Sequence, residues 1–348
     1  MREEPVRFAP EPGLMLAGTL CLPEDSGPDH RVPGIALLGG TGGDTRDGDM
    51  APERSPHIVA PPKRGLLRRF AHELAGRGIA TLRFDKRGCG ESGGTAAASD
   101  YETDLVDNVA ALAYLRGRRE LDPLRLGVVG HSAGAYNACA VASEVPDLAC
   151  AGLLGAVSGT IEDLVRWNWG RVAAAWPGLT EERRSWLRAN RPRDVVGAFR
   201  AEEFITAARA GRDSVRLEAE GLSLELDLVR FRQDLERPMR PEFRHVRCPA
   251  LVLHGGDDMN VRVEDALETY RALREAGNAR VELVIVPGVD HSFQPVAADA
   301  DARVWDRLTL ATMGRPVSPV ALAALGGWAG RVLGAGPVPA RPEWVATW

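Results

Sequence analysis

LRLGVVGHSAGAYNACAVAS, residues 124–143, is the stretch on which the reading of this chain turns. Leu126 to Val129 is a short apolar run suited to a buried strand. It passes directly into Gly130, and from Ala133 to about Ser143 the sequence is rich in alanine, a helix former. Between the two lies Gly130-His131-Ser132-Ala133-Gly134, a G-x-S-x-G. Glycines at both ends allow a backbone approach that a Cβ would block. The turn lifts the serine hydroxyl above the sheet and places a helix N-terminus beneath any negative charge that develops there. A glycine-flanked turn with a bystander serine is the plainer reading. The strand before and the helix after favour a nucleophile.

Outward from this junction, short apolar runs alternate with helical patterns, the signature of βαβ units and a mostly parallel sheet. Residues 4–9 and 14–22 read as opening strands around a Pro-Gly turn, followed by strands over Gly34–Leu38, Ile79–Phe84 and Ala149–Val157. Leu66–Arg77 reads as a helix closed by Gly78, and Asp104–Gly117 as another with one apolar face. The rhythm then breaks. Residues 160–246 show almost no β-like alternation and carry Arg- and Glu-rich helical stretches with Trp167, Trp169, Trp176 and Trp186, as expected of a helical insertion. Strands resume at Ala250–His254 and Val281–Val286, with a helix over 263–276 between them and one more helix from 318 before a Pro-rich end.

A serine nucleophile needs a base and an acid, which follow it in the order acid, then histidine, in this topology. His254-Gly255-Gly256-Asp257-Asp258 closes one strand at the sheet edge where sites on parallel sheets gather. The H-G-x-x-D spacing favours Asp258, leaving Asp257 as a solvated turn residue. Past the next strand, Pro287-Gly288-Val289-Asp290-His291 puts a histidine in a loop that can reach the serine. His291 is assigned as the base and Asp258 as the group that orients it; a loop histidine capping backbone groups is the alternative. His131 and His254 read as structural.

The tetrahedral oxygen of an acyl intermediate needs two backbone N–H donors. Ala133 supplies one, and Thr41 in Leu38-Gly39-Gly40-Thr41-Gly42-Gly43 is assigned as the other. The loop that follows, to about residue 64, is long enough to be functional or mobile. Asp44, Arg46 and Asp47 are expected to pin it by ion pairs.

The 348 residues suffice for a large α/β domain, and 45% hydrophobic with 26% charged residues is ordinary globular composition. A net charge of −5 implies neither nucleic acid nor an anionic membrane as partner. Five scattered cysteines without a CxxC pair argue against a disulfide framework or a zinc site, and for a reducing cytoplasm. MREEPVRFAP lacks the layout of a signal peptide, and no apolar run is long enough to span a bilayer. A soluble cytoplasmic protein is expected.

The G-x-S-x-G at 130–134, the H-G-x-x-D at 254–258 and the late His291 together resemble the α/β-hydrolase superfamily. The run Ile79–Ser92, with its D-x-R-G-x-G-x-S turn, looks like the esterase and serine-aminopeptidase-like branches, and T-G-G-D-T-R-D-G is similar to a loop of bacterial acyl hydrolases. Gly39 stands where many relatives have histidine in an H-G-x-G loop. The resemblance implies an α/β-hydrolase fold with a core of 1–159 and 247–348 and a helical cap of 160–246. It also implies a Ser132–His291–Asp258 triad that cleaves a carboxylic ester, lactone or thioester through an acyl-enzyme, with no cofactor and no metal. The four tryptophans suggest an apolar or aromatic acyl substrate, or else form the cap's own core. Acyl transfer or peptide cleavage by the same triad, and a non-hydrolytic lyase or cyclase of secondary metabolism, remain as alternatives. A homodimer is left open.

Overall fold

The computed structural model describes residues 1–41, 44–53, 63–235 and 240–335. In chain order its elements are β1 (Arg2–Glu11), β2 (Leu14–Leu22), β3 (Val32–Leu38), α1 (Leu66–Ala75), β4 (Ala80–Phe84), α2 (Tyr101–Arg116), β5 (Leu121–His131), α3 (Ala133–Glu144) and β6 (Cys150–Leu154). An insertion then holds α4 (Ile161–Ala175), α5 (Glu181–Asn190), α6 (Pro192–Arg209), β7 (Ser214–Ala219), β8 (Leu222–Asp227) and α7 (Val229–Leu235). The chain returns through β9 (Ala250–Gly255), α8 (Val263–Glu275), β10 (Val281–Val286), α9 (Ala300–Thr309) and α10 (Pro319–Leu333).

Eight strands form one sheet in the order β1-β2-β4-β3-β5-β6-β9-β10. The first two run antiparallel, and from β4 onward neighbours are parallel. Every residue of β3, β4, β6 and β9 is buried, as expected of strands covered on both faces. One face packs Leu112, Ala135, Ala138 and Leu273 of α2, α3 and α8. The other packs Phe70, Leu74, Leu325 and Trp328 of α1 and α10.

Local chemistry sets the helix ends. Gly78, at φ 81°, closes α1: its N–H donates to the Ala75 carbonyl while that of Ile79 donates to Leu74, a Schellman turn. Asp100 and Thr103 form a reciprocal capping box at the start of α2.

Two expectations need correction. The insertion is not purely helical, because β7 and β8 pair antiparallel as a hairpin. Val215, Leu217 and Leu226 point inward while Arg216 and Glu218 face solvent, a period of two within a charge-rich stretch. Glu220 and Gly221 both take positive φ, 51° and 75°, in a two-residue turn. Second, α9 is an element that the sequence did not announce, and its Val304, Trp305 and Leu308 join the apolar cluster of the insertion.

Trp169 lies in the insertion's own core against Phe204, and Trp176 packs on Phe199. Trp186 stacks edge-on with Trp305 of α9, and Trp167 is partly exposed. The Pro-rich segment 54–62, Gly42, Gly43 and the Pro-rich end lie outside the described residues.

Candidate active site

The parallel register brings five strand ends level. Leu38 of β3 pairs with Gly130, His131 with Leu154, Leu154 with Leu253, and Gly255 with Val286. The loops that leave these ends therefore share one edge, the carboxyl edge of the sheet.

Ser132 sits between β5 and α3 with φ 57° and ψ −122°, a strained conformation for a residue with a side chain. Its N–H donates to the Leu154 carbonyl at 2.8 Å, and its own carbonyl accepts from Ala135 at 2.8 Å. The glycines on either side are obligatory. A Cβ on Gly130 would lie 1.8 Å from the Gly134 carbonyl oxygen, and one on Gly134 would lie 2.2 Å from that of Leu38.

The loop after β3 closes on the elbow at Gly40, where a Cβ would stand 2.7 Å from the Ser132 Cβ and 2.5 Å from the His131 carbonyl oxygen. Lys86 Nζ donates to the Gly40 carbonyl at 2.9 Å and fixes that approach. Thr41 follows on the exposed side. The chain beyond it is anchored as expected: Arg46 pairs with Asp85 at 2.5 Å and with Glu91 at 2.7 Å, and Asp47 pairs with Arg83 at 3.0 Å.

Asp258 and His291 meet. Asp258 Oδ2 accepts from His291 Nδ1 at 2.7 Å, while Oδ1 accepts from the N–H groups of Asn260 and Val261 at 2.7 and 2.9 Å. Burial pushes this carboxyl up, but His291, His254 and the Val261 N–H outweigh burial and hold it at about 2. A carboxylate only accepts, so Nδ1 carries the hydrogen and Nε2 is left to receive a proton. The ring lies across Gly155, where a Cβ would be 3.0 Å from Cε1. Gly155 follows Leu154, the residue that accepts the Ser132 N–H, so imidazole and serine rest on adjacent residues of one strand end.

Asp257 has a different task. It accepts from the Gly288 N–H at 2.9 Å and pairs with Arg303, bracing the turn that carries His291. Two histidines read as structural stand beside the site. His131 Nε2 donates to the His291 carbonyl at 2.8 Å, and burial together with His291 lowers its basicity well below the usual histidine range. His254 Nε2 contacts the Val261 carbonyl at 3.2 Å and lies 3.4 Å from Asp258, and burial lowers it too. Sequence reasoning passed over Lys86, whose contact with Gly40 depends on tertiary structure alone. It also passed over Arg171, Arg191 and Arg307, which gather above the Asp258 loop.

The strand order, the elbow and the placing of the Asp258 and His291 loops at one sheet edge are those of an α/β-hydrolase fold. The family described as Serine aminopeptidase, S33 matches residues 63–294, and the chain belongs to it. A curated relative, the uncharacterised Pseudomonas aeruginosa protein PA2218, is 32% identical over 167 residues, 46% of this chain. The match spans only 37% of that relative's length. Among solved structures, the Pyrococcus furiosus esterase Pf2001 superposes with a TM-score of 0.55 at 17% identity, covering 95% of this chain and 91% of its own. Est1E from Butyrivibrio proteoclasticus, with ferulic acid bound, gives 0.55 at 17% identity over 89% and 98%. The 2,6-dihydroxy-pseudo-oxynicotine hydrolase gives 0.53 at 18% over 98% and 71%. At such identities the likeness is one of fold. Among the described residues no helix is long and apolar enough to cross a membrane, and no cluster of His, Cys, Asp and Glu is arranged to hold a metal ion.

Proposed function

We propose that the protein hydrolyses a carboxylic ester, lactone or thioester of a small molecule, with Ser132 as nucleophile, His291 as base and Asp258 as its orienting acid. The observation that carries this reading is the 2.7 Å bond from a buried, ionised Asp258 to His291, whose ring lies over the strand end that also holds Ser132. His291 Nε2 takes the hydroxyl proton as Ser132 Oγ attacks the acyl carbon. Asp258 stabilises the imidazolium, which returns the proton to the departing alcohol or thiol. Water activated by the same nitrogen then releases the acid. Ala133 N–H, at the first turn of α3, and a donor from the Gly40–Thr41 loop would hold the oxyanion. The insertion would serve as a cap that bounds the acyl pocket. The reaction drawn from these residues needs no cofactor, and five buried cysteines outside any disulfide suit a cytoplasmic protein.

A fluorophosphonate probe tests the nucleophile: stoichiometric labelling of folded protein, mapped to Ser132 and lost in Ser132→Ala, is the expected result. A panel of p-nitrophenyl esters of graded chain length, with an aminoacyl anilide included because of the family's description, tests the bond. Cleavage of the anilide alone would turn the reading to a peptidase.

A further inference from the structure

Between α4, α5, α6, α9 and the loop after Asp258 lies a small cleft, part of it open to solvent. Three guanidiniums line it, those of Arg171, Arg191 and Arg307, against one carboxylate, Asp194. Arg191 pairs with Asp194. Arg171 Nη1 donates to the Met259 carbonyl at 2.7 Å, and its guanidinium stacks on Trp167 at 4.8 Å. Arg307 Nη2 donates to Asn168 Oδ1 at 2.9 Å. Those partners are neutral, and each uses one of five donors. Among the described residues neither Arg171 nor Arg307 has an ion-pair partner, and the Nε atoms of Arg191 and Arg307 are buried without an acceptor.

The charges do not balance, and desolvated cations left unpaired are costly. Burial, with Arg191 and Arg171 nearby, depresses Arg307 to about 10, and burial lowers Arg171 as well. Asp258 acts on Arg171 and Arg307, and Asp194 on Arg307, only through space. The oxygens of Asp258 bond to Asn260, Val261 and His291, so it forms no direct pair with either guanidinium, and three cations still face two carboxylates. Asp257 is paired with Arg303 and Asp306 with Arg315. Simple fastening of insertion to core would account for the two neutral contacts, but not for surplus positive charge walled into a cleft. Met259, next to Asp258 in the chain, forms part of the wall, so the cleft adjoins the loop that carries the proposed acid.

We infer that this cleft receives a carboxylate carried by the substrate, so that the enzyme acts on esters bearing a free acid group. The inference rests on the serine-hydrolase reading and gives its substrate class. Arginine suits the task, because its planar fork grips a carboxylate with two parallel hydrogen bonds.

Two ester pairs test it on the full chain: p-nitrophenyl butyrate against mono-p-nitrophenyl glutarate, and phenyl butyrate against 4-carboxyphenyl butyrate. After division by the uncatalysed rates, the acid-bearing member of at least one pair is expected to show a kcat/KM about ten-fold or more above its neutral partner. Arg307→Gln and Arg171→Gln should each cut that ratio about ten-fold, with Arg307→Lys retaining part of it. A ratio near one in both pairs, or one that survives both glutamine variants, overturns the inference. Were no ester turned over, the serine-hydrolase reading would fail instead. Calorimetric titration of Ser132→Ala with the same pairs still decides the cleft: tighter binding of the acid-bearing member upholds it, and equal binding overturns it.

Discussion

At Ser132 the backbone is held at φ 57° by neighbours that leave no room to relax, so the hydroxyl is presented at the cost of local strain. Ser132→Ala is expected to lower kcat by about 10⁴ or more with the unfolding midpoint nearly unchanged. Asp258→Asn should cost about 10³-fold or more in kcat, because the amide favours the wrong imidazole tautomer, whereas Asp257→Asn should cost far less. Steady-state kinetics on one reactive ester compares them. A pH consequence follows from the Asp258 carboxyl, which lies at about 2 in the fold and near the ordinary aspartate value when unfolded. Its folded pKa is depressed, so the contribution is complete above about pH 4 and is lost as pH falls towards 2, amounting to ~2 kcal/mol. Urea unfolding across that window should show this acid loss in the wild type and a smaller one in Asp258→Asn. The three residues proposed for the site were legible as candidates because each sits in a local pattern: an elbow, a strand-end H-G-x-x-D, and a histidine after a Pro-Gly turn. Lys86 and the arginines of the cleft were not. Their meaning comes from what tertiary structure sets against them, and no spacing along the chain records that.

Elements differ in how openly the sequence declares them. The parallel strands showed as unbroken apolar runs because helices cover both faces. The β7–β8 hairpin carried a true period of two, with Val215, Leu217 and Ala219 answered by Leu222, Leu224 and Leu226. It escaped notice because its turn begins at Glu220, a residue that seldom takes positive φ. Replacing Glu220 by Asn should therefore stabilise the fold by roughly 0.5 kcal/mol, read from urea unfolding. In α6, a Cβ on Gly197 would come within 2.3 Å of the Trp169 ring, so this helix crosses α4 where only hydrogen fits. Gly197→Ala is expected to cost about 1–3 kcal/mol through overpacking. Its ester activity should fall with the packing of the insertion.

For the molecule as a whole, the class of fold could be read from the alternation of strands and helices around one glycine-flanked serine. The attachment of the insertion could not, because it uses α9, which lies far along the chain from the residues it joins. All five cysteines are buried, and none is in a disulfide. Burial pushes Cys139 and Cys150 well above the usual thiol range and Cys248 up to about 11, so reactive thiolate is scarce. Ellman's reagent is expected to find essentially no thiol in native protein and five in urea. A native thiol that reacts within minutes would show the fold to be looser than described.

The aromatic seam at α9 bears on how the insertion is held to the rest of the fold. Trp305 is clasped between Trp186 and the guanidinium of Arg183, 4.6 Å from its ring, while Leu308 fills the same apolar cluster. A flap tethered only at its two ends could swing aside. The insertion is also packed against α9, a helix that the chain reaches only after its last sheet strand. Were the insertion to lift as a cap, it would have to part those rings or carry residues 300–309 along.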